Sequence, residues 1–233
     1  MQGHLLWNAG RSISDYLEDH ASTLIQNKTV LELGAGAGLP SLVCAIRGAC
    51  QVVVSDYPDI ELIENRRHNI SHCTLLSSQS NIHAEGYVWG APVETLIQHL
   101  RHPIDSCTET GRPDPSLQTD PFPRFDLLLL ADLLFNHSEH ARLLSTVRST
   151  LSLTPTARAL VFFTPYRPQL LQKDLAFFEL AQTTSQDTLG GPLEVRKVLE
   201  TVLEDVMFPD DSGDERLRRT VFGYEMLWRD LQP

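Results

Sequence analysis

The run Val30-Leu31-Glu32-Leu33-Gly34-Ala35-Gly36-Ala37-Gly38-Leu39-Pro40 restricts what this chain can fold into more than any other segment. An apolar stretch that breaks into closely spaced glycines is a buried strand turning sharply into a helix. Glycine is needed there because the backbone must bend tightly and approach a ligand with no Cβ in the way, and the following helix offers free N–H groups. A second strand signal, Gln51-Val52-Val53-Val54-Ser55-Asp56, ends in a carboxylate roughly twenty residues after the glycines, where an acid can accept from ribose hydroxyls. Together the two segments describe a βαβ unit that binds a nucleoside.

The spacing narrows the ligand. A dinucleotide fingerprint reads G-x-G-x-x-G and seats pyrophosphate on the helix N-terminus. Here the glycines run Gly34-x-Gly36-x-Gly38, and Glu32 stands just before them. A carboxylate at that place repels phosphate and suits a cationic amino group. Glu32 and Asp56 therefore favour a phosphate-free, positively charged nucleoside such as S-adenosylmethionine, with its amino-acid end at the loop and its ribose at Asp56.

Composition excludes several classes. The chain of 233 residues is 42% hydrophobic, enough for a three-layer α/β core, and carries no apolar run that could span a bilayer. No secretory signal is visible at Met1-Gln2-Gly3-His4. Cys44, Cys50, Cys73 and Cys107 are scattered without C-x-x-C spacing, so reduced thiols in a cytoplasmic or nuclear compartment are expected. A formal net charge of -11 argues against nucleic acid, which requires clustered Lys and Arg, and for a basic partner. No metal site is expected. His68 and His72, with Glu64 one turn earlier, and the pair His137 and His140 have metal-like spacing, but neither has a full ligand set; they read as helix faces.

Strand and helix signals alternate along the chain as in a doubly wound parallel sheet. Helices are expected at Asp15–Gln26, Leu39–Arg47, Pro58–Ile70, Pro92–Leu100, Glu139–Leu151 and Gln169–Thr184. Strands are expected at Val30–Leu33, Gln51–Ser55, Asn81–Val88, Phe125–Leu130 and Ala159–Thr164. The segment His102–Arg124 is rich in Pro, Asp, Ser and Thr and poor in apolar residues, which predicts a disordered insertion. Glu194–Leu203 and Thr220–Trp228 read as a terminal hairpin across an acidic connection, Glu204 to Glu215. Residues 1–233 are thus expected to form a single domain.

That order resembles the class I, seven-β-strand S-adenosylmethionine-dependent methyltransferases, and implies a Rossmann-like α/β sheet. It would be mostly parallel, with seven strands, an antiparallel C-terminal hairpin and helices on both faces. Six local motifs sharpen the likeness: Leu6-Trp7-Asn8-Ala9-Gly10, Leu31-Glu32-Leu33-Gly34-Ala35-Gly36, Val54-Ser55-Asp56-Tyr57-Pro58, Gly86-Tyr87-Val88-Trp89-Gly90, Asp132-Leu133-Leu134-Phe135-Asn136-His137 and Pro165-Tyr166-Arg167-Pro168. Together they resemble the fungal methyltransferases of translation elongation factor 1-alpha, a group once labelled nicotinamide N-methyltransferase-like. They are also similar to the wider lysine methyltransferases that carry an Asp-x-x-Tyr motif. Members of the group carry a longer segment ahead of the Trp7 motif, so a truncated chain and a shortened gene model both stay open, and with them any N-terminal lid.

The resemblance implies a monomeric cytoplasmic N-methyltransferase acting on the N-terminal glycine and adjacent lysine of elongation factor 1-alpha, without direct nucleic acid or membrane contact. Small-molecule methylation of nicotinamide and a catalytically inactive binding module stay open as alternatives. The implied cofactor residues are Trp7, Glu32, Gly34, Ala35, Gly36, Asp56, Tyr57, Trp89 and Ala131. Asp132 and Phe135 occupy the Asp-x-x-Tyr position, with a phenyl ring in place of the tyrosine. That ring retains cation–π attraction for an amine and loses the hydroxyl donor. Asp132 can orient the amine or take its proton, and Asn136 and His137 stand beside it, the imidazole as a proton relay.

Overall fold

The computed structural model describes residues 6–100, 123–183 and 191–231. The expected insertion at 102–124 lies outside these residues except for Pro123 and Arg124. In chain order the elements are α1 (Asn8–Asp19), α2 (Ala21–Leu24), β1 (Thr29–Leu33), α3 (Leu39–Ile46), β2 (Gln51–Asp56), α4 (Ile60–His72) and β3 (Ile82–Gly86). Then follow α5 (Glu94–Ile97), β4 (Leu127–Ala131), α6 (His140–Thr150), β5 (Arg158–Phe163), α7 (Leu171–Gln182), β6 (Leu193–Val202), α8 (Glu215–Arg218) and β7 (Thr220–Trp228).

The strands form one seven-stranded sheet in the order β3-β2-β1-β4-β5-β7-β6. β1 pairs in parallel with both β2 and β4, whereas β7 runs antiparallel to β5 and β6. The last strand is therefore inserted between β5 and β6, so the terminal hairpin closes the sheet with its second arm inside. Strand order reverses between β1 and β4, and a crevice at the carboxyl ends of those two strands is where ligands bind in open α/β sheets.

β4 shows why the sheet is central. Leu127 and Leu129 join the core beneath α1 and α3, with Ala9, Ile13, Val43 and Cys44. Leu128 and Leu130 join the core on the other face, with Leu143 and Val147 of α6 and Phe177 and Phe178 of α7. Side chains alternate across a strand with period two, so a strand covered on both faces must be apolar throughout.

The leading helix begins seven residues before its expected start, at Asn8 rather than Asp15. Gly10 lowers local helix propensity, but it is buried inside α1, where tertiary packing outweighs propensity. Cys44 and Cys73 are free thiols, while Cys50 is disulfide-bonded, which corrects the expectation of reduced thiols throughout. Sequence spacing cannot reveal which cysteines the fold brings within bonding distance. Among the described residues no helix is long and apolar enough to cross a membrane.

Candidate functional site

The glycine turn after β1 has positive φ at Gly34, Gly36 and Gly38, which are 59°, 53° and 77°. At Gly34 the demand for glycine is steric as well. A Cβ there would stand 2.5 Å from Leu133 Cδ2 and 3.4 Å from Trp89 Cζ2. The turn after β1, the turn after β4 and the Trp89 indole thus meet at one point, and Ala131 ends β4 beside them.

Two carboxyls flank the turn. Glu32 is buried, and its Oε2 accepts from the Ser41 backbone N–H at 3.0 Å and from the Ser41 hydroxyl. Burial pushes its carboxyl up to about 8, against the two Ser41 bonds, which pull it down. Asp56 Oδ2 accepts from Gly36 N at 2.8 Å and from Arg66 Nη1 at 3.1 Å, and Oδ1 accepts from Tyr57 N at 2.7 Å. An ionised carboxylate has about four acceptor directions, so Oδ1 retains one. Tyr57 itself is 58% exposed.

Asp132, read from the sequence as orienting the amine or taking its proton, is buried and held by donors from other segments. It adopts φ 54°, a left-handed conformation that Asp tolerates better than most residues. Its Oδ1 accepts from Thr164 N at 2.8 Å, and Oδ2 accepts from Ala9 N at 3.0 Å and from the Tyr166 hydroxyl at 3.4 Å. Trp7, the N-cap of α1, supplies no side-chain cap. Asp132 caps α1 instead, from a position distant in sequence, and an anion at a helix N-terminus is favoured by the helix dipole. Burial pushes this carboxyl up to about 7, against the three donated bonds.

Around Asp132 the structure gathers Trp7 with two aromatic groups that the sequence reading did not assign, Tyr166 and Phe208. Trp7 packs on Tyr166 and Phe208, with ring centroids 5.3 and 5.6 Å away, and Tyr166 lies 5.6 Å from Phe208. Phe208 comes from the acidic connection between β6 and β7. That connection is anchored: Arg218 Nη1 donates to the Phe208 carbonyl at 2.8 Å, and the Tyr166 hydroxyl donates to Met207 Sδ at 3.4 Å. The apolar run Val206-Met207-Phe208 inside this acid-rich stretch is the available signal.

Phe135 is 60% exposed, an open ring at the rim of the site. Asn136 precedes a short 3-10 helix, His137–Glu139. His137 Nε2 lies 2.7 Å from Asp174 Oδ1, and His140 Nε2 bonds the Leu134 carbonyl. Asp174 is buried in the first turn of α7, and burial raises its carboxyl while His137 draws it down. No sequence spacing links residues 137 and 174, so this pairing belongs to the tertiary structure alone.

The raised carboxyls carry a testable pH dependence. In an unfolded chain Asp and Glu titrate near about 3.9 and 4.3. The unfolded form therefore loses these protons first, and the associated stability is complete below about pH 4. It is lost as pH rises to about 7 for Asp132 and about 8 for Glu32. Glu32→Gln removes the second window while keeping an acceptor for Ser41. Its urea midpoint should fall less than the parent's between about pH 5 and about pH 8. Parallel declines would show that Glu32 contributes nothing to the slope.

The residues fit a nucleoside with a cationic amino-acid tail: a tight turn of three glycines at positive φ, a buried carboxyl beneath it, and an acid with one open acceptor position. Residues 2–106 match the lysine methyltransferase family. Over 229 residues the chain is 42% identical to the protein N-terminal and lysine N-methyltransferase of Aspergillus fumigatus, covering 98% of this chain and 79% of that protein. The protein of the same description from Emericella nidulans is 44% identical over 233 residues, with coverage of 99% and 81%. Among solved structures, the O-methyltransferase TomG from Streptomyces achromogenes, in complex with SAM, superposes with a TM-score of 0.53 at 11% identity, covering 96% of this chain and 82% of that one. That likeness concerns the fold.

Proposed function

This chain belongs to the lysine methyltransferase family, and from that membership we propose that it methylates the N-terminal glycine and adjacent lysine of translation elongation factor 1-alpha. It is an S-adenosylmethionine-dependent N-methyltransferase. We read residues 1–233 as one domain, working as a monomer in the cytoplasm. The observation that carries the acceptor assignment is the near full-length similarity to proteins described as both N-terminal and lysine N-methyltransferases.

When bound, the cofactor supplies an electrophilic methyl group on a sulfonium. Gly34, Ala35 and Gly36 pass close to its methionine end, with Glu32 beneath as partner for the amino group. Asp56 accepts from the ribose through the open position on Oδ1. Tyr57, Trp89 and Trp7 offer flat apolar faces, and Ala131 leaves room at the end of β4. On the acceptor side the protein's work is alignment, exclusion of water and removal of one proton. The exposed Phe135 ring guides the amine by cation–π attraction. His137, held through Nε2 by Asp174, has Nδ1 free to take the amine's proton, and Asn136 adds a polar contact. Asp132 holds α1 and the Tyr166 hydroxyl in place around that acceptor, with one acceptor direction of Oδ1 left. An α-amino group titrates near about 8 and a lysine near about 10.4, so the terminal amine is the easier one to deprotonate and should react first.

The test is mass spectrometry of a peptide carrying the N-terminus of elongation factor 1-alpha after incubation with the purified chain and S-adenosylmethionine. Methyl groups should appear first on the terminal glycine. An acetyl-capped peptide should lose that product and retain at most the lysine signal. Transfer to nicotinamide with none to the peptide would establish the small-molecule reading, and cofactor binding with no transfer to either would establish a binding module.

A further inference from the structure

Helix α4 buries one residue, and it is a charged one, Arg66. Its side chain is 1% exposed. Nη1 donates to the Gly36 carbonyl at 3.1 Å and to Asp56 Oδ2 at 3.1 Å, while Gly36 N donates to the same Oδ2 at 2.8 Å. Arg66, the glycine turn and the ribose-side acid thus form a closed set of three bonds. Nε and Nη2 of Arg66 are buried without a hydrogen-bond partner. Burial lowers the guanidinium's pKa, and the charges of Asp56 and Glu32 act against that shift.

A buried guanidinium with two unsatisfied nitrogens is a poor device for stability, because its desolvation is only partly offset. What it does provide is orientation. With Arg66 and Gly36 both on Oδ2, that oxygen is saturated and the carboxylate cannot rotate. Oδ1 is left facing the site with one open acceptor direction. Preorganisation of this kind raises affinity by removing the ordering cost from the binding step.

We propose that Arg66 is a positioning residue of the nucleoside pocket, clamping the Asp56 carboxylate to the glycine turn so that its open acceptor position is set before the ribose arrives. The inference rests on the reading of Asp56 as the ribose acceptor. It also explains why a helix with one buried position places arginine there instead of an apolar residue.

The experiment is calorimetric titration of the purified chain with S-adenosylhomocysteine and with its analogue lacking both ribose hydroxyls. The parent protein should prefer the natural ligand by about tenfold or more, the worth of a hydrogen bond to a charged group. In Arg66→Met, affinity for S-adenosylhomocysteine should fall about tenfold while affinity for the analogue changes less than about twofold. The hydroxyl preference then collapses. General damage to the fold would weaken both ligands equally, and that result, or an unchanged preference, overturns the proposal. Arg66→Lys keeps the charge with a single nitrogen and should show an intermediate preference. It serves as the deciding variant if Arg66→Met does not fold. A parent protein with no preference for the hydroxyls would overturn the reading of Asp56 itself, and the clamp with it.

Discussion

Replacing Asp132 by alanine will lower folding stability by about 3 kcal/mol or more, a fall in melting temperature on the order of 6–12 °C for a chain of this size. The substitution leaves the N–H groups of Ala9 and Thr164 without their acceptor and leaves the Tyr166 hydroxyl only its contact with Met207 Sδ. Each unsatisfied buried donor costs about 1–3 kcal/mol, less than additively. Alanine must also adopt the left-handed backbone seen at φ 54°, which asparagine tolerates better. Asp132→Asn retains one acceptor oxygen and should lose about half as much. Thermal unfolding of both variants checks this. If Asp132 were chiefly an acid or base for the amine, Asp132→Asn would keep its melting temperature and lose turnover, and that outcome would sink the structural reading.

The second large effect concerns Asp56. Asp56→Ala should weaken S-adenosylmethionine binding more than tenfold, because a hydrogen bond to a charged acceptor is worth about 1.5–3 kcal/mol. It should also destabilise the protein by about 3 kcal/mol, since the Arg66 guanidinium is then buried without its carboxylate. The two consequences separate in a double variant. Asp56→Ala with Arg66→Met removes the orphaned charge, so stability should recover while cofactor affinity stays low. Recovery of affinity in the double variant would mean that Asp56 acts only as a counter-ion to Arg66.

Much of this architecture was legible in residue order. The β4 run is apolar on both faces, as a strand between two helical layers requires, and the Gly34–Gly38 spacing by itself marks the tight turn after β1. Thr220–Trp228 is bounded as expected, since a strand-length run rich in β-branched and aromatic residues left little choice. The start of α1 was misplaced because its cap is Asp132, more than a hundred residues away, and no local signal at Trp7 or Asn8 announces it. Ser41, Arg66, Asp174 and Phe208 were missed for the same reason: each acts through a partner supplied by a different element.

The sequence by itself determined the βαβ order, the glycine turn with its two acids, and the position of the Asp132–His137 motif after a central strand. Those features depend on local geometry and on periodicity, which neighbouring residues dictate. Only the tertiary structure decided what the acids do. It turned Asp132 into the cap of a distant helix, closed Asp56 onto Arg66, paired His137 with Asp174, and folded Phe208 back onto Trp7 and Tyr166. A carboxylate's role depends on which donors reach it and how much water is excluded, and both are consequences of packing between segments far apart in the chain.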